Sequence, residues 1–222
     1  MKVTPDPSGL IFLSEALKTN KTLRRLNLNG NHFGNCVDLS GMASLSEALK
    51  SNNTLQKLDL GDNDLGNCPE SLKFLSEALE VNTSLKKLDL RWNNIGGCPD
   101  PSGEISLLEA LKKNNSIRML LLNINKLGNC PGWMNSLSES LKVNKTLQYL
   151  GLGGNYLRNC LENVSVLVDA LKVNDTIQGL YLQNNNFDKK VLGKIARITE
   201  RNKHNDLMKN SCLFGLLLPI LN

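Results

Sequence analysis

The chain has 222 residues, of which 41% are hydrophobic, only 5% are aromatic and 21% are charged, with a formal net charge of +5. Most of that surplus lies between Asp188 and Lys209, where seven Lys/Arg face three Asp/Glu, leaving about +1 for the rest of the chain. No basic stripe suited to nucleic acid is therefore expected, and no segment reaches the roughly 18 consecutive apolar residues needed to cross a bilayer.

Self-similarity organises the chain. Thr54–Cys68 reads TLQKLDLGDNDLGNC, and near-copies begin at Thr22, Ser84, Ser116, Thr146 and Thr176. Their first apolar residues, Leu23, Leu55, Leu85, Ile117, Leu147 and Ile177, are separated by 32, 30, 32, 30 and 30 residues, the spacing of a repeat array. In an array, each unit buries apolar surface against its neighbours, so the core grows lengthwise.

At the N-terminus, Leu10–Leu13 is too short an apolar run for a secretory signal, so a cytoplasmic chain is expected. Pro5–Gly9 recurs as Pro99–Gly103, which follows a complete strand and turn. The chain is thus expected to begin partway through a unit, as a piece of a longer protein or with its end resting on something. Each unit then opens with an amphipathic helix. Ser71–Leu79, for example, puts Leu72, Leu75, Ala78 and Leu79 on one face. Ser8, Ser40, Ser71 and Ser102 stand where an N-cap acceptor is useful, and Lys18, Lys50, Lys112, Lys142 and Lys172 where a cation meets the negative helix end.

Asn20, Asn52, Asn82, Asn114, Asn144 and Asn174 come next and are expected to end the helices in the left-handed conformation. Each also opens an N-x-Ser/Thr sequon, which the repeated helix stop explains without sugar. The strand follows, as in Leu58-Asp59-Leu60, with leucines inward and variable residues outward. After it, Asn31, Asn63, Asn93, Asn125, Asn155 and Asn185 recur where an inward turn strands backbone groups that a carboxamide can satisfy. Cys36, Cys68, Cys98, Cys130 and Cys160 each follow the first strand leucine by 13 residues. They are expected to be unbridged buried thiols, because their spacing fits no zinc site and a reducing compartment disfavours disulfides even where stacked neighbours approach bridging distance. Val191–Asn202 reads as a final helix ending the array at residue 202. Residues 203–222 form an apolar tail, expected to cap the last unit or to mediate self-association.

Strand pattern, asparagine and full helix in a 30–32-residue unit together resemble the leucine-rich repeats of the ribonuclease-inhibitor-like class, including the arrays of NLR-type receptors. The resemblance implies an α/β right-handed solenoid, a horseshoe whose parallel sheet lines the concave face and whose helices lie outside. It implies a non-enzymatic protein-interaction module such as the sensing or autoinhibitory arm of an intracellular receptor. Rival readings are a regulator of an enzyme, such as a GTPase-activating protein or a nuclease inhibitor, and an architectural spacer.

Nothing that repeats assembles a nucleophile, base and orienting group, so no enzyme, cofactor or metal is expected. His32 and His204 are far apart with no repeated acid beside them, and Arg25 and Arg91 are the only arginines in the outward strand rows. Those rows carry the expected contacts. Lys57 with Asp59 and Lys87 with Asp89 are expected to neutralise one another. Arg91, Trp92, Met119, Leu121, Tyr149 and Tyr181 are expected to form a protein-binding patch, since these aromatic and arginine side chains are enriched at interface hot spots.

Overall fold

The computed structural model describes residues 6–34, 38–130, 132–158 and 164–217, the last segment with side chains to residue 208. Helix and strand alternate throughout: α1 (Ser8–Thr19), β1 (Arg25–Asn27), α2 (Ser40–Ser51), β2 (Lys57–Asp59), α3 (Pro69–Val81) and β3 (Lys87–Asp89) come first. Then follow α4 (Ser102–Lys113), β4 (Met119–Leu121), α5 (Trp133–Val143), β5 (Tyr149–Gly151), α6 (Val164–Val173), β6 (Gly179–Tyr181) and α7 (Lys189–Leu217). The six strands form one parallel sheet in sequence order. This is the solenoid of leucine-rich repeats that the sequence implies.

Leucine packing explains the layers. Leu55, Leu58, Leu60 and Leu65 of the second unit are at most 1% exposed, as are Leu85, Leu88, Leu90 and Ile95 of the third. They meet Leu72, Leu75 and Leu79 from the helix side in one continuous core. Neighbouring strands lie about 4.8 Å apart, whereas packed helices need about 8–10 Å, so the stack must curve with its sheet on the inner side.

Two asparagine series stitch the units together. Asn93 is fully buried; its amide donates to the Leu60 carbonyl at 2.8 Å, and its carbonyl accepts from Asn63 N–H at 3.0 Å and Leu65 N–H at 3.2 Å. Asn125 repeats this one unit later, donating to Leu90 and accepting from Asn93, both at 2.8 Å. The second series closes the helices. Asn114 donates to the Leu79 and Asn82 carbonyls of the preceding unit and accepts from Ser116 and Ile117 N–H.

Several local expectations need correction. The helix-ending asparagines are extended, not left-handed: Asn114 has φ −66° and ψ 127°. Their side-chain bonds to the next two residues make the turn, so no positive φ is needed. Ser8, Ser40 and Ser102 are first helical residues, not caps, and the acceptors are Asp6, Asp38 and Asp100, which take their N–H groups at 2.9 Å. Ser71 lies inside α3 and its hydroxyl has no hydrogen-bond partner. The Ser102 N–H holds the Asp100 carboxyl below the usual carboxylate range. Asp100→Ala should therefore speed amide hydrogen exchange at Ser102 while leaving Leu107 protected, which exchange monitored by NMR would read.

The final helix also departs from expectation, running through Asn202 to Leu217. Asn202 donates to the Asn174 and Ile177 carbonyls as a seventh member of its series. Its carbonyl oxygen, however, accepts from the Arg201 guanidinium at 2.8 Å instead of from the backbone ahead. With no N–H drawn into a turn, the helix continues. The tail side chains beyond residue 208 lie outside the described residues.

Cys68 is disulfide-bonded, contrary to the expectation of unbridged cysteines, while Cys98 and Cys130 are thiols. Stacked turns bring successive units close, and that proximity prevails over the argument from compartment; Cys36 and Cys160 fall outside the described residues. Among the described residues, no helix is long and apolar enough to cross a membrane.

Candidate functional site

Parallel, in-register pairing carries the strands' outward residues into straight rows. One row runs Arg25, Lys57, Lys87, Met119, Tyr149, Gly179, and the next Asn27, Asp59, Asp89, Leu121, Gly151, Tyr181. The helices pack behind the sheet, leaving this face open. Units four to six make its apolar half. Met119, Leu121 and Tyr149 are half-buried and Tyr181 is exposed.

Glycine sets the floor of this half. A Cβ on Gly151 would come within 3.0 Å of Leu121 Cδ2, and one on Gly179 within 2.8 Å of the Tyr149 ring. Leu121 and Tyr149 therefore lean across the next strand onto bare backbone and present one flank outward. The Tyr149 hydroxyl donates to Gln178 Oε1 at 3.3 Å, which fixes the ring at its far end.

Trp92 and Ile124 stand on the rim beyond the strands. Trp92 is 57% exposed and Ile124 37% exposed, and both have positive φ, 60° and 59°. The equivalent positions of the other units hold Gly30, Asp62, Gly154 and Asn184, also at positive φ. Left-handed backbone suits Gly, Asn and Asp and costs other residues roughly 1 kcal/mol or more, most for a β-branched one. Two bulky apolar side chains are thus held outward against local preference.

Arg91 borders Trp92 and is fixed by Asp89, a buried carboxylate. Its Nε donates to Oδ1 at 2.8 Å, and a terminal nitrogen lies 2.7 Å from Oδ2. The Asp89 hydrogen bond and charge push the guanidinium pKa upward. Arg91, Asn29, Asp62 and Trp92 line an open depression. The structure thus joins Met119, Leu121, Tyr149 and Tyr181 in one field, with Arg91 and Trp92 at its edge.

The expected lysine–aspartate pairs do not form. Asp59 accepts from Gly61 N–H at 2.9 Å, and Asp89 accepts from Arg91 N–H and its guanidinium. Both carboxylates turn toward the strand's end, so Lys57 and Lys87 have no acid partner among the described residues. Sequence adjacency suggested pairing; the carboxylates' own backbone bonds decide against it.

A further interaction escaped the sequence reading. His32 Nδ1 lies 2.9 Å from Asp64 Oδ2, an acid one unit away, and that hydrogen bond raises the imidazole pKa. Both side chains are well exposed. Only the 32-residue stacking period brings them together, so the period was the signal available.

Comparison with known proteins supports the fold. The model for leucine-rich repeats matches residues 19–46, 51–67 and 81–97. No curated protein matches. Among solved structures, the chain is similar to the tropomodulin C-terminal domain of Caenorhabditis elegans, with TM-score 0.51, 14% identity and coverage of 92% of this chain and 98% of that one. It is also similar to actin-binding site 2 of leiomodin-1, with TM-score 0.50, 13% identity and coverage of 94% and 95%. Leucine-rich repeats of this kind suggest protein–protein interaction.

Proposed function

We propose that the chain is a non-enzymatic protein-interaction module whose partner seats on the open sheet face of units four to six. Arg91, Trp92, Met119, Leu121, Tyr149 and Tyr181 are the contact residues. The observation that carries this reading is the rim pair, Trp92 and Ile124, exposed in a backbone conformation that disfavours them. Strain of this kind persists where something besides stability maintains it. An apolar field beside it, with a guanidinium fixed in place, has the make-up of an interface hot spot.

Other features support finer parts of the reading. Each of the six sheet-associated units has a helix of 10 to 13 residues, which favours the ribonuclease-inhibitor-like type over repeats with shorter outer segments. A rigid binding face suits the sensing arm of a larger receptor. Leiomodin-1 offers one case in which this fold binds a protein, actin. Arg91 is tied down by Asp89, which suits holding a partner better than reaching into a nucleotide site.

Affinity capture with the full chain, followed by titration of the purified partner, tests this. Trp92→Ala/Tyr149→Ala should weaken that partner by about 30-fold or more, as loss of a hot spot does, with the melting curve little changed. Unaltered affinity would mean that the partner binds elsewhere.

A further inference from the structure

The rows of the first four units carry an unspent charge. Arg25, Lys57 and Lys87 are register neighbours on the open face. Just before them, Arg24, Gln56, Lys86 and Arg118 form a second row, joined by backbone bonds from Gln56 N–H to Arg24 O, Lys86 N–H to Gln56 O and Arg118 N–H to Lys86 O. Six cations thus occupy the N-terminal edge of four adjacent strands. Arg24, Arg25, Lys57 and Arg118 are exposed, and Lys86 and Lys87 are half-buried.

The helix side behaves differently. There Lys18, Lys50, Lys73, Lys112, Lys142 and Lys172 each pair with a carboxylate three residues earlier. None of the six sheet-edge cations has an ion-pair partner among the described residues, and Asp59 and Asp89 are committed to Gly61 and Arg91. Like charges on strands about 4.8 Å apart repel, and a field of one sign attracts its complement. The lysines of α1 to α6 are neutralised where they stand; the sheet-edge cations are not.

We infer that this edge receives the acidic part of a protein segment whose apolar part lies on Met119, Leu121 and Tyr149. The inference rests on the binding face proposed above and adds the partner's chemistry and its orientation. Charge and apolarity are segregated by unit, so the occupant must be segregated too: carboxylates over units one to four, apolar side chains over units four to six. A nucleic acid does not fit this layout. With a phosphate at every residue, it would lay charge over Asp59 and Asp89 or over units whose outward rows hold no cation. A flat lipid surface does not fit either, since the cations line the inner side of a curved stack.

The test is a random-peptide selection on the full chain, repeated on Lys57→Glu/Lys87→Glu, whose thermal melt should match wild type because neither lysine pairs with a carboxylate among the described residues. Wild type should enrich peptides that join an Asp/Glu cluster to Leu, Phe or Trp. Their affinity should fall at least about tenfold in the charge-reversed chain and fall with added salt, as for a complementary charged interface. Peptides without acids that ignore the reversal but are lost in Trp92→Ala/Tyr149→Ala would overturn the inference and leave the binding face standing. Peptides indifferent to both variants would overturn both readings. An empty selection overturns the inference, as does tighter binding of oligouridine or phosphatidylserine vesicles than of any selected peptide, lost on the same reversal.

Discussion

Asn125→Ala is expected to destabilise the array by about 3–5 kcal/mol, because it orphans several buried backbone groups at once. The Leu90 carbonyl loses its donor and Asn93 N–H loses its acceptor, both at 2.8 Å, and Ile95 N–H loses a weaker acceptor at 3.4 Å. Asn125 is fully buried, so no water is at hand to replace those bonds. Urea unfolding followed by circular dichroism would measure the loss, with Asn115→Ala, at an exposed site, as the control. A cost below about 1 kcal/mol, the worth of one ordinary hydrogen bond, would refute a structural role for the series.

A second substitution should act in the opposite direction. Glu104 is 1% exposed in the first turn of α4, and one of its carboxylate oxygens has no partner. The matching positions of the other helices hold Leu10, Met42, Leu72, Met134 and Val164, all buried. Desolvation pushes the Glu104 pKa from an ordinary 4.5 up to about 7, offset in part by its own N–H. Below pH 4.5 the carboxyl is neutral in both states and this group imposes no ionisation cost. Between 4.5 and 7 the unfolded chain gives up the proton and the folded one keeps it, so stability falls as pH rises, levelling off above 7. Glu104→Met should therefore stabilise the chain by about 3 kcal/mol at pH 8, each pKa unit being worth about 1.4 kcal/mol. The gain should shrink toward pH 4. Urea midpoints of both chains across that range give the difference directly, and a difference flat with pH would show that Glu104 is solvated.

How far the sequence reached can be judged from these positions. Leu58, Leu60 and Asn63 state the strand, its inward face and its turn without ambiguity, because the period holds in six successive units and burial agrees with it in the four inner ones. The asparagine that closes each helix was legible as a stop but not as an extended one, since the choice depends on where its carbonyl finds N–H groups. Asp6, Asp38 and Asp100 were overshadowed by the serines beside them, which look like caps in isolation. α7 shows a sharper limit: Asn202 is in place, yet Arg201 takes its oxygen and the stop fails. The rows of the sheet face could be written from the repeat alone, but whether Lys57 meets Asp59 could not, because that turns on the rotamer of one carboxylate. The six edge cations also disappeared into a sum of about +1 for the chain outside residues 188–209, because a net charge counts every carboxylate wherever it stands.

The carboxamides of Asn63, Asn93, Asn125, Asn155 and Asn185 all serve the coil before their own, and this gives the stack a polarity. Peeling off the first coil leaves Asn63 with a surplus amide hydrogen but leaves the N–H groups of Asn63, Asn93, Asn125 and Asn155 answered. Peeling from the other end withdraws, with each coil, the oxygen that holds the previous turn closed. Fraying should thus be self-limiting at the N-terminal end and self-propagating from the C-terminal one, where α7 acts as the doorstop.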